Sequence, residues 1–352
     1  MPNAATVYRK AATIDSITRT PSHDLPQELR EVSVALITDP TTVRGSIEVL
    51  NQDVVNLDPQ GFEVKRVTVP LVECCLIYTR SNSALRTQTL IHKDFEACSI
   101  LGPQAHGSID GAELQAYALI AAGPGAQAEL VVDRDFESVA FLVPPRLLDR
   151  HLALRRPTED FVIPETHVLL SPGESAARDL FELGARIAAA AERAPEIFDD
   201  NRWAQYGAQI EFMESLSTTI ESCEPDETAS TDRTGKSYSQ VVRACEDYTL
   251  SLDGRRPYLS ELCETANVSE RTLQYAFRNI MGMSPLTYLH RLRLHRARDE
   301  LRKATTGSVT VTNVAMNWGF WHFGEFSRAY KNCFGEVPSV TLRQDSVDQD
   351  MR

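Results

Sequence analysis

The 352-residue sequence contains no CxxC pair, no H-x-H pattern and no apolar run approaching the ~20 residues that cross a bilayer. Its seven cysteines, Cys74, Cys75, Cys98, Cys223, Cys245, Cys263 and Cys333, are odd in number. Together these features argue against a disulfide framework, a four-cysteine zinc site and a membrane span, and they leave the thiols as small buried apolar groups. The N-terminal stretch MPNAATVYRKAATIDS has no apolar core of the secretory type, so a cytoplasmic location is expected. Excess positive charge is also lacking: the formal net charge is −13, which at first argues against a nucleic-acid partner.

The charge is unevenly distributed. From Lys236 to Arg343 there are fifteen Lys and Arg against ten Asp and Glu, a net +5, which leaves −18 on the remainder. A basic segment on an acidic chain points to a nucleic-acid reader joined to a different module. The polar stretch CEPDETASTDRTGKS divides the two and reads as a linker. The expected organisation is an N-terminal tail over 1–30, a sensor and dimerisation domain over 31–222, a linker over 223–237, a reader domain over 238–343 and a C-terminal tail over 344–352.

Before the linker the texture is strand-like. FEVKRVTVP, VECCLIYTR, AYALIAAG, AELVVD and ESVAFLVP are short apolar-rich segments separated by Gly/Pro punctuation such as GPQAHGSIDG. That pattern predicts an antiparallel sandwich or small barrel. PPRLLDRHLALRR then reads as a short helix, and two longer ones follow, ESAARDLFELGARIAAAAER and NRWAQYGAQIEFMESLSTTIES. In the last, Trp203, Tyr206, Ile210, Met213, Leu216 and Ile220 recur at steps of three and four and form one apolar stripe. The stripe suits packing on the barrel or a dimer seam.

After the linker only helical patterns occur, and one plan appears twice. In YLSELCETANVSERTLQYAFRNIMG a short helix, an Asn267–Ser269 turn and a second helix bury Leu273, Ala276 and Phe277 and leave Arg271, Gln274, Tyr275 and Arg278 outward. VTNVAMNWGFWHFGEFSRAYKNCFG repeats the plan, with Phe320, Phe326, Tyr330 and Phe334 as core, a turn at Gly319 and a left-handed cap at Gly335. Two short helices joined by a tight turn, the second carrying Arg and Gln outward, make a helix-turn-helix. Between the copies lies SPLTYLHRLRLHRARDELRKA, capped by Ser284, with Pro285 at its first position, five arginines, and a core stripe of Leu286, Leu289, Leu292 (or Arg293), Ala297 and Leu301.

The connecting helix, the Gly319-Phe320 pair, F-x-R-x-[FY]-K and F-G-x-x-P-[ST] resemble, in order and spacing, the DNA-binding domain of the AraC/XylS family of transcription regulators over roughly Tyr258 to Arg343. The resemblance implies an α+β multidomain protein: an N-terminal cupin-like antiparallel β barrel or sandwich with a helical pair, and a C-terminal all-α domain whose two helix-turn-helix units read successive major-groove segments. Carried over by position, the family's contacts fall on Arg271, Gln274 and Tyr275. Arg can fork onto guanine and Gln onto adenine. The candidate DNA-binding set is Arg271, Gln274, Tyr275 and Arg278 in the first unit, and His322, Phe323, Glu325, Ser327, Arg328 and Lys331 in the second. The sequence departs from the family at Trp321, where a small polar cap commonly stands, and at Phe323 and Gly324, where polar residues are common. Trp321 and Phe323 either pack back on the preceding helix or face the groove, where Phe323 can meet a thymine methyl.

Relatives pair this reader with a sensor or oligomerisation domain. The expected partners are therefore double-stranded promoter or operator DNA, a small-molecule effector, RNA polymerase and a second copy of the chain, with no membrane. Tyr78, Arg80, His92, His106 and Tyr117 are candidate ligand-binding residues in or beside the strands. No catalytic residue, metal site or cofactor is expected, so the reading is of a regulator, an activator, and not an enzyme. The alternatives are a repressor or global regulator without ligand, a cupin enzyme, which would need H-x-H, and a DNA-repair alkyl acceptor, which would need four cysteines around zinc.

Overall fold

The computed structural model describes residues 25–43, 47, 49–58, 61–145, 147–148, 150–151, 163–223, 233–304 and 309–349. Twelve strands form two antiparallel sheets among the described residues. The first sheet comprises β1 (Ser33–Ile37), β3 (Val64–Pro70), β4 (Cys75–Ser81), β11 (Phe136–Val143), β6 (Glu96–Leu101), β9 (Leu119–Ala122) and β12 (His167–Leu170), side by side in that order. The second comprises β2 (Leu50–Asn56), β5 (Leu85–Ile91), β10 (Gln127–Val132), β7 (Gly107–Ile109) and β8 (Ala112–Leu114). The two sheets face each other without closing into one barrel. The β7–β8 hairpin turns on Asp110-Gly111, both at positive φ (45° and 81°), as a two-residue loop between right-twisted strands requires.

Period-two alternation gives each sheet two distinct faces. On the outer face of the seven-stranded sheet, Val67, Val69, Val139 and Phe141 pack beneath α2 (Glu174–Arg193) and α4 (Arg202–Glu221), with Phe141 against Phe212 at 4.7 Å between ring centroids. Helix α1 (Pro40–Val43) precedes β2, and α3 (Glu196–Asp199) links α2 to α4. The apolar stripe of α4 divides along its length. Met213, Leu216 and Ile220 are core, whereas Trp203 (83% exposed), Tyr206 and Ile210 face outward.

The C-terminal helices are α5 (Arg233–Leu250), α6 (Leu259–Ala266), α7 (Glu270–Met281), α8 (Pro285–Lys303), α9 (Val311–Asn317), α10 (Phe323–Phe334) and α11 (Pro338–Gln349). They pack around two cores: Leu262, Leu273, Phe277, Tyr288 and Leu289 with α5, and Leu294, Ala297, Val314, Phe320, Phe326 and Tyr330. The first core continues into Val55, Leu57 and Val131 of the five-stranded sheet. The chain is therefore layered as helical pair, seven-stranded sheet, five-stranded sheet and helical domain.

Several expected boundaries move. Leu25 and Leu29, within the expected tail, are buried in one core cluster with Cys75 and Ile77 of β4 and Leu142 of β11. Residues 1–24 of that tail and 224–232 of the linker lie outside the described residues. Helix α5 starts inside the linker range, at Arg233, and α11 runs beyond 343 to Gln349. The helix expected over 144–156 falls largely outside the described residues.

Candidate nucleic-acid interface

Both helix-turn-helix units are built by caps that the sequence carries locally. In the first, Asn267 ends α6 in the left-handed conformation (φ 51°), and the Ser269 hydroxyl accepts a hydrogen bond from the Thr272 amide at 3.2 Å to start α7. In the second, Thr310 caps α9, accepting from the Asn313 amide at 3.1 Å, and Gly319 (φ 74°) makes the turn. That turn is held from behind. Arg293 donates to the Trp318 carbonyl at 3.2 Å and lies 5.1 Å over the Phe320 ring. Trp318 Nε1 donates to Glu300 at 2.7 Å. Gly335 (φ 79°) closes α10.

The outward faces of α7 and α10 hold the expected DNA-binding residues. Arg271, Tyr275 and Arg278 are exposed and Gln274 is half-buried. Arg271 lies against Tyr275, donating to its hydroxyl at 3.3 Å with the guanidinium 5.3 Å over the ring. On the second unit His322 occupies the N-cap, Phe323, Glu325, Arg328 and Lys331 are exposed, and Ser327 is half-buried. Trp321 is 59% exposed, and its indole donates to the Gly254 carbonyl at 3.1 Å, tying the α5–α6 loop to the second unit. Phe323 is 41% exposed at the leading end of α10. The two units therefore present polar and aromatic side chains to solvent while their apolar sides are fully packed.

The connecting helix α8 differs from expectation. Leu286 is exposed, while Leu289, Leu292, Ala297 and Leu301 are core. Its arginines point into protein. Arg296 pairs with Asp53 at 2.6 Å through both terminal nitrogens, and Arg291 donates to the Leu57 carbonyl. Arg298 grips Asp39 at 2.8 Å, Glu336 at 2.9 Å and the Tyr330 hydroxyl at 3.2 Å, and Arg302 reaches the same Asp39 at 2.6 Å. Burial raises the Asp39 pKa, but hydrogen bonds and charge from Arg298, with Thr41, outweigh it and hold the carboxyl down at about 2.

A second buried charge cluster joins α5 to the five-stranded sheet. Arg86 pairs with Glu246 at 2.5 Å, Glu129 at 2.9 Å and Asp53 at 3.3 Å, and the Tyr288 hydroxyl donates to Glu246. Burial, with the neighbouring Glu129 and Asp53 carboxylates, pushes the Glu246 pKa up to about 7 against the pull of Arg86. Nearby, Arg243 pairs with Asp110 at 2.9 Å.

Between the sheets lies a cavity of about 140 Å³. Its walls are mostly apolar, with a polar edge at Gln52, Arg66, Thr79, Thr87 and Thr89. Arg66 is buried and donates to Gln52 Oε1 at 2.7 Å. None of the five expected ligand residues lines this space. Tyr78 and Arg80 alternate with the lining residues Ile77, Thr79 and Ser81 and so face outward, Arg80 to Glu137 at 3.3 Å. His92 meets Asp94 on the surface, His106 is exposed, and Tyr117 packs on Phe181 and Arg178. Sequence reasoning missed the lining strands β2 and β5. The Thr-x-Thr alternation of Thr87 and Thr89 was the available signal.

Among the described residues, no group of three His, Cys, Asp or Glu is placed to hold a metal ion, and no helix is long and apolar enough to cross a membrane. All seven cysteines are free, and burial raises the thiol pKa values of Cys74, Cys75 and Cys98, leaving them unreactive.

A family described as "Helix-turn-helix domain" matches residues 262–344, which span both units and α8. A stretch of 84 residues, 24% of this chain and 54% of the relative, is 38% identical to the XylDLEGF operon transcriptional activator 2 of Pseudomonas putida. Residues 262–344 therefore form a helix-turn-helix domain of the AraC/XylS type. A further 104 residues, 29% of this chain and 31% of the relative, are 38% identical to the probable thc operon regulatory protein of Rhodococcus erythropolis. The chain thus spans about a third to a half of the length of these two relatives, and the shared part is the AraC/XylS domain. Among solved structures, a probable AraC family transcriptional regulator from Rhodopseudomonas palustris is 33% identical, with 30% of this chain and 96% of that one covered at a TM-score of 0.28. ToxT from Vibrio cholerae is 11% identical over 84% of this chain and 97% of that one, at a TM-score of 0.28. The AraC/XylS relatives are transcription regulators, which are not enzymes.

Proposed function

We propose that the protein is a cytoplasmic, small-molecule-responsive transcription regulator, an activator, in which a sensor domain over 31–222 controls an AraC/XylS reader over 238–343. The observation that carries this reading is the pair of helix-turn-helix units whose polar faces, Arg271–Arg278 and His322–Lys331, are open to solvent while their apolar sides are buried. Gln274 and Arg271 suit base edges, and Arg328 and Lys331 suit phosphates. The cavity between the sheets is the effector site of this reading. RNA polymerase at the bound promoter and a second copy of the chain are its partners, and the exposed Trp203, Tyr206 and Ile210 of α4 suit the second copy. The overall charge of −13 opposes non-specific binding, so the reader depends on a few local contacts.

Selection of bound sites from random duplex DNA, followed by titration of the selected site with salt, tests the reading. The slope of log K against log salt should be negative, at roughly 0.9 per phosphate neutralised. Recovery of no common sequence together with a flat salt response rejects it.

A further inference from the structure

The five-stranded sheet has the cavity on one face and the reader domain on the other, and its residues alternate between them. On β5, Thr87 and Thr89 line the cavity, while Arg86 points the other way into Glu246 of α5. On β10, Ala128 and Leu130 line it, while Glu129 joins Arg86 and Val131 packs in the core of the first helix-turn-helix unit. On β2, Gln52 and Val54 line it, while Asp53 holds Arg296 of α8 in a two-point pair. Helix α1 does the same at its two ends: Val43 lines the cavity, and Asp39, just before its first residue, holds Arg298 and Arg302 of α8.

We propose that this sheet is a single-layer coupling wall, through which a small molecule filling the cavity resets the connecting helix and with it the relative setting of the two DNA-reading helices. The proposal rests on the reading of the cavity as the effector site. Packed interiors transmit a displacement instead of absorbing it, because they hold little compressible space. Lining and outward residues here are sequence neighbours on one strand, so a strand cannot shift for one and stay fixed for the other. The outward contacts are directional ion pairs on rigid guanidinium forks, which have defined rest positions. Arg298 extends the line, since the same guanidinium that holds Asp39 touches Tyr330 of the second reading helix and Glu336 beyond it. The cavity volume is close to that of a site of about 150 Å³ known to admit benzene. With the polar edge of Gln52, Arg66, Thr87 and Thr89, the matching ligand class is a one-ring molecule bearing one hydrogen-bonding group.

The test uses the full chain and fills the cavity without a ligand. Ala128→Leu adds volume from the five-stranded sheet, and Ala140→Leu, which lines the same space from β11, adds it from the opposite sheet. Hydrogen exchange of amides 286–303 should change by tenfold or more in either variant, and the dissociation constant for the selected DNA site by fivefold or more. Adding Asp53→Asn, which keeps the shape and removes the charge that Arg296 meets, should reduce both effects to less than twofold. If either variant is folded and leaves the exchange of 286–303 and the DNA affinity unchanged, the coupling is overturned. The effector reading fails on a different result: a panel of one-ring alcohols, amides and carboxylic acids at millimolar concentration raises the thermal midpoint of neither the unmodified chain nor the Ala128→Leu chain. The expected result is a rise in the unmodified chain that Ala128→Leu abolishes.

Discussion

At Gln274 and Arg328 the same property, an exposed polar group on a reading helix, leads to two different expectations. Gln can hydrogen-bond both edge atoms of one adenine, so Gln274→Ala should relax preference at a single base position by roughly 1–3 kcal/mol. Arg328, whose Nε turns back to the Gly324 carbonyl at 3.4 Å, suits a backbone phosphate, and Arg328→Ala should weaken all sequences alike. Site selection with each variant separates the two, and unchanged preferences for Gln274→Ala refute the assignment. Glu246 provides a further expectation at this scale. Its pKa rises on folding from the ordinary carboxyl value of 4.5 to about 7. Between those values the folded state binds more protons than the unfolded state, so stability should fall as pH rises through that window, by roughly 1–3 kcal/mol. The groups facing Glu246 are Arg86, Glu129, Asp53 and Tyr288. Thermal midpoints measured from pH 5 to pH 8 should decline for the native chain and flatten for Glu246→Gln, which resembles the protonated carboxyl. Equal slopes for the two would show that Glu246 is ionised throughout.

The connecting helix α8 carries the expectation at the scale of an element. Its 19 residues span about 28 Å, and its helical phase sets the angle between the two units. One alanine inserted after His290 turns everything beyond it by ~100° and advances it by ~1.5 Å. Arg296 and Arg298 would leave Asp53 and Asp39, and the second unit would leave the groove that the first one defines. Specific DNA affinity should fall toward that of a single unit while circular dichroism keeps its helical signal. Footprints of both half-sites at near-native affinity would mean that the units are flexibly joined.

For the whole molecule the expectation concerns association. Trp203, Tyr206 and Ile210 share one exposed face of α4, on the far side of the sheets from the reader domain. Burying each such residue stabilises by about 1.5–3 kcal/mol, so Tyr206→Asp with Ile210→Asp should raise a dimer dissociation constant by roughly a hundredfold or more. Sedimentation velocity reads this directly, and because both side chains are exposed the fold should survive the change. A native dimer that the double variant leaves intact would place the seam elsewhere.

Local signals were enough to read the reader domain from the chain alone. Helix α6 runs over Leu259–Ala266 as its pattern predicts, and Ser269, Ser284, Asn267 and Gly335 cap where their side-chain chemistry or conformational freedom suits a helix end. Those signals act within a few residues, so tertiary context had little to override. Strands β3, β4, β9 and β11 of the seven-stranded sheet were legible for a related reason: they bury one face against apolar helices and so show an apolar pattern, whereas β1, β6 and β12 were not expected. Strands β2 and β5 escaped notice because both their faces carry polar groups, one toward the polar edge of the cavity and the other toward ion pairs with the reader domain. Only the tertiary structure decided the fate of the α8 arginines. A sequence shows that a helix face is charged, but the nearest opposite charge to Arg296 and Arg298 is more than 200 residues away at Asp53 and Asp39. Whether such a cation meets a phosphate or a carboxylate depends on which surface the fold brings beside it, and that is set by packing of the whole chain.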